Sequence, residues 1–246
     1  LPKFADSWVY AKAYNEANIN MGRSAAYSED DIERLKAEGP NKEHLRDLLT
    51  SGNGLQTKHN LTFRGGQPGL RYLFSAGYLK ENGTVMKNYY EKYNMRLNLN
   101  GELSNNVQLN IKLSGWHSDQ KEPNNFDMGG LDHLIEMATR LPNVLPAEGH
   151  IGYTASELYL NSNAFIENTG KLFTGNTSLE WDITESLQLK GQMGYNWNYG
   201  EDKNFRPVFE VSPTEEWGPS TLLQRTAVGS DLTLESTLNY NKTFGD

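Results

Sequence analysis

The stretch Tyr93-Asn94-Met95-Arg96-Leu97-Asn98-Leu99-Asn100-Gly101-Glu102-Leu103 decides the fold. Tyr93, Met95, Leu97, Leu99 and Leu103 alternate with Asn94, Arg96, Asn98, Asn100 and Glu102, a period of two that puts one set on each face of a strand. After Ser104-Asn105-Asn106 the pattern returns, with Val107, Leu109, Ile111 and Leu113 opposite Gln108, Asn110, Lys112 and Ser114. Two long strands joined by a tight turn make a β-hairpin.

The design recurs on both sides. Leu61 and Phe63 alternate with Asn60, Thr62 and Arg64; Gly65-Gly66-Gln67-Pro68-Gly69 supplies a turn, and Tyr72, Phe74, Ala76 and Tyr78 carry the next strand. Further on, Leu179, Trp181 and Ile183 are answered by Leu187, Leu189, Met193, Tyr195, Trp197 and Tyr199, and a last strand holds Leu232, Leu234, Leu238 and Tyr240. The connections alternate in length. Those near Gly66, Asn105 and Glu185 are a few residues each, whereas those at about 117–171 and 200–230 are long. Tight turns therefore gather at one end of the sheet and long loops at the other.

Residues 1–58 read as a loop and helical segment ahead of the strands of 59–246. Asp6-Ser7 can cap a helix through Ala11, Ala13 and Ala17 to about Met21, stopped by Gly22. Ser28 followed by Asp31 resembles a capping box opening a helix from Ile32 to Ala37, which Gly39-Pro40 ends. Both are short and need to dock on something. The 117–171 loop holds Gly129-Gly130 and then Leu131, Leu134, Ile135, Ala138 and Leu141 at helical spacing, closed by Pro142 and Pro146. Such a loop is either functional or merely docks its apolar stripe on neighbours.

The 246 residues include no cysteine, which removes disulfides, thiol nucleophiles and Cys-ligated metals. A formal charge of −8 with scattered basic residues gives no electrostatic footprint for nucleic acid. No apolar run approaches the roughly 20 residues of a transmembrane helix. The chain begins Leu1-Pro2-Lys3, without initiator Met or signal peptide, so it is expected to be a mature product or a piece of something longer.

Hydrolase, P-loop, zincin and dinucleotide fingerprints are missing, and no catalytic residue is assigned. His44, His59, His117, His133 and His150 share no ligand spacing, and Asp30-Asp31, Glu201-Asp202 and Glu215-Glu216 fall in caps or loops. Glu201-Asp202-Lys203-Asn204 is acidic enough for a weak calcium site, yet polar loop positions explain it as well. No cofactor and no metal are expected. Sequons at Asn60, Asn82, Asn176 and Asn241 are what chance gives a chain with 26 asparagines.

Strands with leucines on one face and amides on the other suit a soluble sandwich, which buries the apolar face, or a membrane barrel, which shows it to lipid. Three features favour the barrel. The strands match the 9–11 or so residues of a tilted crossing, the loops alternate short and long, and Tyr93, Tyr195, Trp197 and Tyr199 sit toward the loop ends, where an aromatic girdle belongs.

Several segments resemble the SusC/RagA family of TonB-dependent transporters of Bacteroidetes. They are His59-Asn60-Leu61-Thr62-Phe63-Arg64-Gly65-Gly66, Arg71-Tyr72 with Gly77-Tyr78-Leu79-Lys80-Glu81-Asn82-Gly83, and Tyr93 to Leu99. Ala164-Phe165-Ile166-Glu167-Asn168, Leu238 to Gly245 and Tyr10 to Ala17 resemble it too. Each is degenerate, but their order along the chain is fairly specific. The resemblance implies an all-β fold, an antiparallel transmembrane barrel of 22 strands in the cell outer membrane, closed by a plug with a TonB box and lidded by a SusD-like lipoprotein. It implies import of oligosaccharides, or peptides for some members, without enzymatic chemistry. No plug or TonB box is recognisable, and only about seven strands are, so an internal barrel fragment is expected. The rival is a soluble, secreted all-β carbohydrate-binding module.

Within the barrel reading, parity assigns Arg96, Lys112 and Trp116 to the lumen as candidate ligand contacts, an aromatic flanked by hydrogen-bonding groups. Tyr93, Leu97, Leu99, Leu109, Ile111, Trp181, Tyr195 and Trp197 are assigned to the membrane face and its girdle. Expected partners are the SusD-like lipoprotein, TonB through the plug, outer-membrane lipid and an oligosaccharide or peptide.

Overall fold

A computed structural model describes residues 5–37, 49–125, 129–140, 159–212 and 215–244. Alternating sequence becomes alternating structure in β1 (Gln56–Gln67), β2 (Leu70–Asn82), β3 (Tyr89–Ser104), β4 (Val107–Pro123), β5 (Phe165–Thr184) and β6 (Leu187–Arg206). A small hairpin of β7 (Phe209–Ser212) and β8 (Glu215–Trp217) precedes β9 (Thr221–Tyr240). The seven long strands pair antiparallel in the order β1-β2-β3-β4-β5-β6-β9, an up-and-down meander of the kind that forms barrel walls.

The turns fix the register. Gly69, at φ +81°, closes β1 onto β2, while Asn105-Asn106 and Glu185-Ser186 close the next two hairpins. Each of those two follows a register shift, between Glu102 and Ser104 and between Asp182 and Thr184. The turns are also tied sideways: Asp182 N donates to Asn106 O and Asn241 N to Ser186 O, both at 2.9 Å.

At the loop end the ladders run further than the hydrophobic alternation does. The loops expected at 117–171 and 200–230 are shortened, because β4 reaches Pro123, β5 starts at Phe165, β6 reaches Arg206 and β9 starts at Thr221. Beyond His117 one face carries Asp119 and Lys121 and the other Ser118, Gln120 and Glu122. Backbone hydrogen bonds continue there without an apolar face to advertise them.

Among the described residues, Pro123 at the tip of β4 is the one buried apolar side chain on β1–β6 or β9. Leu97, Leu99, Leu109 and Ile111 stay half-exposed, and Met95, Leu232 and Leu234 are 61–70 % exposed; among the described residues no second sheet covers them. Burial occurs instead in two small clusters. In the first, α1 (Ser7–Asn20) and α2 (Glu29–Ala37) dock on each other through Ala11, Ile32 and Leu35. Asn15 locks the pair, donating to Tyr27 O (2.7 Å) and accepting from the backbone amides of Ala26 and Tyr27. The capping box forms both ways: Asp31 N donates to Ser28 Oγ (3.1 Å) and Ser28 N to Asp31 Oδ2 (3.0 Å). Asp6 holds the N-cap place of α1 without a side-chain cap bond, and Gly22 at φ +73° ends that helix. Gly39-Pro40 lie outside the described residues.

The second cluster gathers the loop end. Leu134 of α3 (Gly130–Arg140) is fully buried among Val85, Tyr159, Leu160, Ala164 and Phe209, with Leu131 packed against them, so the long loop docks on neighbouring connections through these two leucines. Leu141, Pro142 and Pro146 lie outside the described residues.

Leu134→Ala is expected to cost about 2–5 kcal/mol of local stability, the range for emptying a buried leucine site. Hydrogen exchange should then speed at Val85 and Leu160 and leave β3–β5 unchanged. Ser28→Ala should weaken the start of α2 by about 1 kcal/mol, roughly fivefold in exchange of its first-turn amides. The Ser28 hydroxyl and amide hold the Asp31 carboxyl below its ordinary value. Their contribution is therefore present at neutral pH, and the difference between wild type and variant should shrink as acid protonates Asp31.

Candidate functional site

The polar face gathers the three candidate contacts. Register sets Trp116 opposite Asn94, Arg96 opposite Ser114 and Lys112 opposite Asn98, so Trp116 and Lys112 are the two diagonal neighbours of Arg96 across β3 and β4. The Trp116 ring lies over Gly170, where a Cβ would stand 2.9 Å from it, and the Lys92 ammonium sits 5.0 Å from its centroid. The indole is thus braced by the sheet and flanked by a cation. Arg96 and Lys112 have no carboxylate partner among the described residues.

Asparagines surround this platform. The row through Trp116 reads Asn60, Gly77, Asn94, Trp116, Leu172, Asn198, Gly229 across the seven strands. A Cβ at Gly77 would lie 2.5 Å from Asn94 Oδ1 and 2.9 Å from Asn60 Oδ1, and one at Gly229 would lie 2.5 Å from Asn198 Oδ1. The amides fold over glycine and lie flat along the sheet. Toward the tight turns, Lys112 lines a polar recess of about 470 Å³ with Asn100, Asn110, Asn176, Ser178 and Gln192. There Lys190 pairs with Glu180 at 2.8 Å. Amides, unpaired cations and a braced indole can hold a polar, uncharged or anionic ligand by hydrogen bonds and stacking.

The opposite face holds Tyr93, Leu97, Leu99, Leu109, Ile111, Trp181, Tyr195 and Trp197 together. At its loop end His59, Tyr78, Tyr93 and His117 lie side by side on adjacent strands, with ring centroids 6.2, 4.9 and 6.4 Å apart. Tyr78 and Tyr93 both donate their hydroxyls to Glu91 Oε1, at 2.5 and 3.0 Å. Glu91 was missed by sequence reading; its signal was the spacing Glu91-Lys92-Tyr93, which puts a carboxylate on the aromatic face one step above the ring.

Near the tight turns, Tyr72 lies six residues from Tyr78 on β2, Trp181 ten from Lys171 on β5, and Tyr240 twelve from Val228 on β9. Tyr78, Lys171 and Val228 share one perpendicular row, so these three aromatics fall on a line oblique to the strands. A six-residue lag over the five strand spacings from β2 to β9 inclines the line by roughly 40° to that row, at about 3.3 Å per residue and 4.8 Å per strand.

Two further constellations went unread in the sequence. Asn124 and Asn125 are fully buried just past β4: Asn124 Nδ2 donates to Asn204 Oδ1 and to Phe205 O, while Asn125 meets His133 Nδ1 at 2.6 Å and accepts from Gly129 N. His117 pairs with Asp119 at 2.8 Å. His44 and His150 lie outside the described residues. No cluster of three metal-ligating side chains occurs among the described residues, and Glu201 is taken up by Lys203, Tyr199 and Gln224.

No protein-family model matches the chain. It is 24 % identical over 204 residues to TonB-dependent receptor P39 of Formosa agariphila, covering 78 % of this chain and 18 % of that one. To TonB-dependent receptor P3 of the same organism it is 21 % identical over 233 residues, covering 89 % and 22 %. Among solved structures, the RagAB peptide importer superposes with a TM-score of 0.54 in its closed-closed state and 0.56 in its open-open state. Each match has 16 % identity over 78 % of this chain and 22 % of that one. The chain thus spans about a fifth of the length of the proteins it matches. The chain is thus similar in sequence to TonB-dependent receptors and in fold to the RagAB importer.

Proposed function

We propose that the chain forms part of the barrel wall of a TonB-dependent outer-membrane importer. In this reading it takes up nutrients, oligosaccharides first among them and peptides second, with a SusD-like lipoprotein at the loop end and TonB acting through a plug. The carrying observation is the two-faced sheet whose apolar face has no cover among the described residues. Ten residues separate Val107 from His117 on that face; at about 3.3 Å each and a tilt of about 40°, they rise roughly 25 Å, the height of an outer-membrane apolar band. The oblique line of Tyr72, Trp181 and Tyr240 has the inclination such a tilt demands if the three share one depth. A sandwich would have to bury Leu97, Leu99, Leu109 and Ile111, and they are half-exposed.

β1 and β9 each have one side unpaired among the described residues. In hydrocarbon those backbone groups require partners, so the reading also requires further strands on both sides. The chain would then contribute transport and no bond chemistry. Ligand would pass along the polar face, where Trp116 offers a stacking surface and Asn94, Asn198, Arg96 and Lys112 offer hydrogen bonds.

Placing charge on each face of β3 in the full-length protein tests the assignment. Leu99→Arg should cost about 2–4 kcal/mol if it faces mid-membrane lipid, and abolish the heat-modifiable outer-membrane form. Asn98→Arg, one residue away on the polar face, should assemble normally. Recovery of the full-length protein as a soluble monomer would sink the proposal. For the ligand path, Trp116→Ala should weaken uptake of labelled oligosaccharides by roughly tenfold, the scale of a lost aromatic anchor. Thr174→Ala on the same face should change it little. A loss seen with labelled peptides alone would reverse the order of the two substrate classes.

A further inference from the structure

We propose that the apolar face carries a site for the phosphorylated, multiply acylated glycolipid of an outer leaflet, with its chains in a groove beneath the Tyr78–Tyr93 pair and a phosphate on Lys171. The inference rests on the barrel reading above. The groove measures about 720 Å³, within the ~300–1,000 Å³ of small-molecule sites. It exists because side chains shrink at two places in one row. Ala76 and Gly115 flank Met95 there, while the next row toward the tight turns carries Phe74, Leu97 and Leu113.

Its upper edge is rigid. Tyr78 and Tyr93 pack at 4.9 Å, and both are tied by their hydroxyls to Glu91, so the roof does not fold down into the space beneath. Its width is unusual for one chain. Lining residues run from His59 on β1 to Trp197 on β6, six strands that span roughly 24 Å at about 4.8 Å each. Segments of several acyl chains lie side by side across such a width, which favours a multiply acylated lipid over a two-chain phospholipid.

The polar rim selects the headgroup. On the strand step above the rings, the carboxylates are engaged within the protein: Glu91 by two tyrosines, Asp119 by His117 and Thr169, and Glu201 by Lys203, Tyr199 and Gln224. Lys171 is different. It is exposed, its ammonium lies 5.1 Å from the Tyr199 ring centroid, and it has no carboxylate partner among the described residues. Lys80 is also exposed on that step, opposite Glu91, but Lys171 is the cation that lines the groove itself, as a lipid phosphate requires.

The test uses the full-length protein extracted in mild detergent, with lipid A and phosphatidylethanolamine added separately and adducts counted by native mass spectrometry. Wild type should retain lipid A in preference to phosphatidylethanolamine. Lys171→Glu should lower lipid A retention by roughly fivefold or more, as expected for losing one charge-assisted contact. Ala76→Phe should do the same by filling the groove. Ala76 is chosen over Gly115 because a Cβ at Gly115 would stand 2.9 Å from Leu172 O. Equal retention of the two lipids, or unchanged lipid A retention in both variants, overturns the site. Both variants should still fractionate as folded barrels. A barrel that sits in the outer membrane without preferring lipid A refutes this site alone, whereas a protein that never enters the membrane refutes the barrel reading beneath it.

Discussion

In the barrel proposed above, each backbone N–H and C=O in the apolar band must find its partner on a neighbouring strand, because nothing else there accepts or donates. The sheet meets that demand with ladders free of register shifts from Tyr89 to Glu102 on β3 and from Phe165 to Asp182 on β5, and admits irregularity only beside the tight turns. An unbroken register has a strict consequence for side chains. A slip of one residue anywhere in β3 would carry Arg96 and Asn98 to the apolar face and Leu97 and Leu99 to the polar one. The bulges at Glu102/Ser104 and Asp182/Thr184 therefore sit where a slip costs least, and the lateral bonds from Asp182 to Asn106 and from Asn241 to Ser186 hold each turn to the next.

The same register explains why glycine and asparagine are so frequent. A polar face that lines open space has no core to pack, yet long side chains standing off it would be unsupported. Opposing asparagine to glycine solves this locally: Asn60 and Asn94 lie over Gly77, Asn198 over Gly229 and Asn176 beside Gly194. Trp116 uses Gly170 in the same way. A methyl group at any of Gly77, Gly170 or Gly229 would lift its neighbour from the sheet. On the apolar face Gly115 has the opposite effect: the Phe173 ring comes only to 3.9 Å from the place of its Cβ, and a groove remains.

How much was legible follows from these packing rules. Alternation exposed the strands wherever the two faces differ in polarity, as from Tyr93 to Leu113, and the Ser28–Asp31 box was legible because it is local in sequence. The extensions of β4 to Pro123 and of β6 to Arg206 were hidden, since Ser118, Gln120 and Glu122 differ little in polarity from Asp119 and Lys121. The loop-end core was legible only through the helical stripe containing Leu134. Its other members are single residues of separate connections, Val85, Tyr159, Ala164 and Phe209, and no window of sequence contains enough of them to show a period. The candidate contacts were placed on one face by parity alone. Parity could not show that Trp116 rests on Gly170, because that pairing depends on which residue of β5 faces it.

The hidden parts turn out to join the legible ones mechanically. β4 and β6 flank β5 and continue beyond the apolar band, and at their tips Asn124 reaches across to Asn204 and Phe205. The neighbouring Asn125 holds His133 of α3, whose Leu134 enters the loop core. Lys87, in the connection from β2 to β3, donates to Ser162 O just ahead of β5. The loop core is thus anchored on the strand extensions through buried amides, which have few alternative partners. Displacement of the loop-end cluster must therefore strain the tips of β4 and β6, the strands that carry Trp116 and Asn198. In a transporter the mouth and the upper polar face would respond together, through hydrogen bonds that neither composition nor periodicity displays.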